Sequence, residues 1–86
     1  MFEKVNIIIP AIELDDELLN CLKEISKIDY SNFFVTIVLD QNVKSKLPKF
    51  EYKINKMVVG KINMSKKRNL AAKKFKSKYI AFIDSD

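Results

Sequence analysis

The sequence contains no histidine and no tryptophan, and only one cysteine, one glycine and two prolines among its 86 residues. Each shortage excludes something. Without His, the usual general base and the commonest zinc ligand are missing. Cys21 alone forms neither an intramolecular disulfide nor a cysteine-based zinc site. Average usage would give about six glycines; their scarcity argues against a loop-rich, collagen-like or many-turned all-β protein. No apolar run approaches the ~20 residues that a membrane-spanning helix needs. Met1-Phe2-Glu3-Lys4 lacks the pattern of a secretory leader. A reducing, cytoplasmic setting is expected.

Apolar residues make up 48% of the chain, which excludes disorder as the main state. The length allows one small domain, 1–86, burying only about 60–65% of its unfolded surface. That is enough for one modest core, and too little for a nucleotide site plus a full acceptor site. The net charge of +5 hides a split. Residues 1–40 carry three Lys and eight acids, net −5; residues 41–86 carry twelve Lys, Arg68 and three acids, net +10. The basic half suggests an anionic partner, set against the plainer reading of a solvated lysine surface.

Apolar periodicity alternates between strand and helix. Val5-Asn6-Ile7-Ile8-Ile9, stopped by Pro10, has the near-continuous apolar run of a strand covered on both faces. Leu18, Cys21, Leu22 and Ile25 recur at helical spacing and predict a helix from Leu14 to Lys27, with Asp15 as N-cap. Phe33 to Leu39 predicts a second strand, Ile54 to Val59 a third and Lys78 to Ile83 a fourth. Ser65 is placed to cap a second helix reaching about Phe75, with Leu70, Ala71 and Phe75 inward. The succession β-α-β-β-α-β predicts an α/β fold with a mostly parallel sheet and right-handed crossovers.

Four places could carry chemistry. Asp84-Ser85-Asp86 follows a buried-looking strand, and ligands of α/β sheets lie outside the carboxyl ends of the strands. Such carboxylates suit Mg²⁺ or Mn²⁺ shared with a phosphate. Asp40, at the end of the second strand, can accept from a ribose hydroxyl or a base N–H. Ser65-Lys66-Lys67-Arg68-Asn69 sets three cations at a helix start, where they oppose the dipole unless an anion is shared. Pro10-Ala11-Ile12-Glu13 lines the same edge, with Glu13 facing a ribose or base, or opening the acidic helix start.

These residues resemble family 2 glycosyltransferases. Val5 to Pro10 is similar to that family's opening strand, and Cys21-Leu22-Lys23-Glu24-Ile25 to its first helix. Phe34 to Asp40 resembles its second strand. Lys66-Lys67-Arg68-Asn69-Leu70-Ala71-Ala72, followed by Lys78-Tyr79-Ile80-Ala81-Phe82-Ile83-Asp84-Ser85-Asp86, resembles the family's Ala-Arg-Asn helix and Tyr-Ile-x-Phe-Leu-Asp-x-Asp strand. The departures are local. Ile12 and Glu13 stand where an aromatic and Asn are usual, Asp40-Gln41-Asn42-Val43 replaces Asp-Asp-Gly-Ser, and Asn63-Met64-Ser65 replaces a glycine-bearing approach.

The resemblance implies the GT-A fold, a Rossmann-like α/β/α sandwich. It implies nucleotide contacts from Pro10, Ala11, Glu13, Asp40, Arg68 and Asp84, and a D-x-D motif of Asp84 and Asp86 holding Mn²⁺ or Mg²⁺ on a nucleotide-diphosphate sugar. The acceptor, a glycan or lipid, and the catalytic base would belong to a following half. The expectation is therefore a donor-binding front portion without transfer activity of its own, membrane association being left to a full-length parent. Tyr79 to Ile83, apolar on both faces, predicts self-association through an exposed strand. The alternatives are a basic nucleic-acid-binding module and a non-catalytic regulatory α/β domain.

Overall fold

A computed structural model describes residues 4–41 and 47–84. The elements run β1 (Val5–Pro10), α1 (Asp16–Ile25), β2 (Phe33–Leu39), β3 (Ile54–Val58), α2 (Met64–Lys74) and β4 (Tyr79–Phe82). The succession along the chain is the expected one. In space the strands stand in the order β3-β2-β1-β4, all parallel. The order therefore reverses about β1: the chain steps outward to β2 and β3 on one side, then crosses to place β4 on the other.

Strand alternation divides the core. Ile7 and Ile9 of β1 and Val35, Ile37 and Leu39 of β2 share a face with Leu18, Leu22 and Ile25 of α1. Ile8 and Val38 share the opposite face with Ala71 of α2. The two helices thus cover opposite faces, as in a doubly wound sheet, and the central strands carry the continuous apolar runs that this demands. The β2–β3 connection contains no helix among its described residues. Leu47, Phe50 and Tyr52 cover the α1 face instead, and the Tyr52 hydroxyl donates to the Leu22 carbonyl at 2.6 Å.

Each helix start has a visible cause. Asp15 caps α1, its Oδ1 accepting from the Leu18 N–H at 2.9 Å, with Asp16 and Glu17 in the first turn. Asn63 caps α2, accepting from the Lys66 N–H at 2.8 Å. Ser65, the expected cap, lies inside the helix. Asn competes for the same role and stands where the chain is still extended (φ −72°, ψ 164°). Before it, Gly60 adopts φ +80°, which glycine tolerates without strain. Leu70 also departs from expectation. It is 42% exposed, while Ala71 is buried and Phe75 half-buried, so α2 meets the sheet through small side chains.

Candidate functional site

The C-terminal edge of the sheet gathers most of the residues singled out in the sequence. Pro10 and Ala11 leave β1 buried, and the Ala11 N–H donates to the Val38 carbonyl at 2.9 Å. The Asp40 N–H donates back to the Ile12 carbonyl at 3.0 Å. These two bonds carry the β1–β2 pairing one step past the strands and fix where Asp40 stands. Glu13 is exposed, with the Gln41 amide 3.4 Å from its carboxylate.

α2 brings its cations to this edge, and they divide by role. Lys67 is buried. Its ammonium donates to the Ala11 carbonyl at 3.0 Å and forms an ion pair with Asp40 Oδ1. The Asp40 contact is one of charge rather than an aligned hydrogen bond. Lys67 and Ala71 are one helical turn apart on the sheet-facing side, and that spacing is the signal that could have separated Lys67 from its neighbours. Grouping it with Lys66 and Arg68 as a cation held out for an anion needs correction, because Lys67 is committed inside the fold.

Arg68 turns the other way. Its Nη2 donates to Asp84 Oδ1 at 3.0 Å, and its guanidinium lies 5.4 Å from the Phe82 ring centre. Its Nε is shielded from solvent and has no hydrogen-bond partner among the described residues. Asp84 follows β4, where the Ile83 N–H donates to the Ile8 carbonyl at 3.1 Å and prolongs the β1–β4 pairing. Its side chain is 61% exposed. Asp86 and Ser85, and Asn42 and Val43 of the second-strand comparison, lie outside the described residues.

Among the described residues no group of three or more His, Cys, Asp or Glu side chains converges to hold a metal. An all-protein cage is therefore not formed by them. A hard ion that keeps its waters and shares a ligand's phosphates needs only one or two carboxylates, and exposed Asp84 fits that requirement, with Arg68 competing for it. The lone thiol takes no part: Cys21 belongs to α1, and burial pushes its pKa up, making it a poor nucleophile. No helix among the described residues is long and apolar enough to cross a membrane. Two cavities, of about 210 and 250 Å³, lie among residues at the opposite, N-terminal edge of the sheet.

No family model and no curated protein sequence matches the chain.

Proposed function

We propose that this chain is the donor-binding portion of a family 2 glycosyltransferase of the GT-A fold. In this reading it takes a nucleotide-diphosphate sugar at the C-terminal edge of its sheet. One observation carries the proposal. The Pro10–Glu13 loop, Asp40, Arg68 and Asp84 meet where strand order reverses about β1, the place where open α/β sheets bind their ligands.

The residue roles follow from chemistry. Asp40, oriented by Lys67, accepts from a ribose hydroxyl or base N–H, with Pro10, Ala11 and Glu13 beside the nucleotide. Arg68 offers the outer N–H groups of its planar guanidinium to a phosphate. Asp84, with Asp86, holds the divalent ion. Mn²⁺ or Mg²⁺, when bound, supplies charge neutralisation for the diphosphate leaving group. Arg68 adds a second positive charge to that neutralisation. None of the residues in these roles is a catalytic base, so the chain binds a donor, and transfer to a glycan or lipid acceptor calls on residues beyond those described. A cytoplasmic site of action, with membrane association of a longer parent, belongs to the same proposal.

The competing reading of a nucleic-acid surface loses one of its cations, since buried Lys67 is engaged by Asp40 and the Ala11 carbonyl. Calorimetry with UDP and GDP tests the proposal. Binding is expected with Mn²⁺ present, lost in EDTA, and weakened by Asp84→Asn. Absence of binding by both nucleotides with Mn²⁺ present, from a folded chain, overturns it.

A further inference from the structure

At the edge opposite the candidate donor site, a cavity of about 250 Å³ is lined by Lys4, Phe34, Lys53, Asn55, Phe75 and Lys76. None of these residues is acidic. The three lysines precede β1, β3 and β4, so the topology brings together charges that are far apart in sequence. All three lysines are exposed at the rim of this cavity, and an anion seated there would be attracted by all of them.

The backbone beneath the lysines is pinned. The Lys4 carbonyl accepts from the Ser77 hydroxyl, next in the chain to Lys76. The Lys53 carbonyl accepts from the Val35 N–H at 2.9 Å. The Phe75 carbonyl accepts from the Asn6 amide at 2.9 Å, and fully buried Asn6 is itself held by Thr36. The Lys4 ammonium lies 5.6 Å from the Phe34 ring centre, within cation–π range. The backbone of these segments is therefore ordered before any ligand arrives, which lowers the cost of binding one to the ordering of the exposed lysine side chains.

We infer that this cavity is a phosphate site, taking inorganic phosphate or the phosphoryl group of a small phosphomonoester. Three point-charge ammonium groups and the Asn55 amide offer donors to several oxygens of one tetrahedral dianion. The Phe34 and Phe75 side chains supply an apolar floor that strengthens the attraction. The site is separate from the proposed donor edge and does not depend on a metal.

The test is calorimetry without divalent metal, at constant ionic strength, with inorganic phosphate and with glycerol phosphate as probes. Both are expected to bind. Lys53→Gln and Lys76→Gln are each expected to weaken binding about tenfold, the loss of one charge-assisted hydrogen bond. Lys23→Gln, on exposed α1 surface, leaves it unchanged. Tighter binding of the ester assigns the site to a phosphorylated organic ligand, and equal binding assigns it to the free ion. No heat with either probe, or heat that survives both lysine substitutions in folded variants, overturns the inference.

Discussion

The ammonium of Lys67 is paired with the carboxylate of Asp40, and both side chains are largely withdrawn from water, 4% and 16% exposed. The pair joins α2 to the end of β2, and the Ala11 carbonyl adds the end of β1. Removing one partner of such a pair leaves an uncompensated charge, whereas removing both can be nearly neutral. Lys67→Met is expected to lose about 3 kcal/mol in urea unfolding, near the lower end for a buried pair. Asp40→Leu with Lys67→Met should recover most of that loss. A double variant as unstable as the single one would show that the charge pairing is not what Lys67 contributes.

The buried Asn6–Thr36 hydrogen bond makes a second prediction. Asn6 Oδ1 accepts from the Thr36 hydroxyl at 2.8 Å on the α2 face of the sheet, and both residues are fully buried. Thr36→Val keeps the shape and strands the Asn6 oxygen. The expected loss is about 1–3 kcal/mol, the desolvation penalty of an unsatisfied buried acceptor. Thermal unfolding measures it, and a neutral outcome would mean that Asn6 finds another donor.

Much of this fold is legible in the sequence because the central strands are covered on both faces. Ile7-Ile8-Ile9 and Phe33 to Leu39 cannot be amphipathic there, and their runs mark them directly. α1 is equally plain, since one apolar stripe meets one cluster. α2 is only partly so: Ala71 reads as inward and is buried, but Leu70 reads the same way and is exposed, while buried Lys67 does not read as core. The convergence of Asp40, Arg68 and Asp84 at one edge follows from the strand succession. The inward commitment of Lys67 does not, because three adjacent cations look alike until a helix phase separates them. The lysine-lined cavity is invisible to local pattern, since its lysines meet only through the parallel register.

Tyr52 gives a pH dependence. Burial pushes its hydroxyl pKa up to about 12 from 10.0, while Ser26 beside it lowers the value slightly. The folded state therefore holds the proton more tightly than the unfolded state. The resulting stabilisation is fully present below about pH 10 and is lost as pH rises through about 12. Tyrosinate absorbance should show a late-titrating ring, and Tyr52→Phe should flatten the alkaline fall in stability. A stability curve of unchanged slope in that variant would remove Tyr52 as its origin.

β4 makes a prediction about association. It pairs with β1, and no second strand neighbour is present among the described residues. Tyr79, Ile80 and Phe82 are 51%, 42% and 51% exposed. An open apolar edge offers ladder groups and side chains to a second copy. Sedimentation velocity is expected to show concentration-dependent dimers, shifted toward monomer by Ile80→Lys. The charge blunts the edge and costs little in the monomer, where the residue is already half in water. A monomer at every concentration would refute the expectation.

The Arg68–Asp84 contact predicts effects of opposite sign. Asp84 is 61% exposed and Arg68 31%, so the ion pair itself contributes only about 0–1 kcal/mol to folding, and Arg68→Ala should cost folding little beyond the lost packing on Phe82. Its effect belongs to the ligands. In the proposed site the guanidinium competes with a divalent ion for the Asp84 carboxylate, and it also binds the donor's phosphate. Arg68→Ala should therefore tighten Mn²⁺ binding measured without nucleotide, by water-proton relaxation. It should weaken nucleoside diphosphate binding, by about tenfold for one lost charge-assisted hydrogen bond. Asp84→Asn should weaken both. If Arg68→Ala moved the two affinities in the same direction, Arg68 would not stand between the carboxylate and the phosphate, and the division of labour at this edge would have to be redrawn.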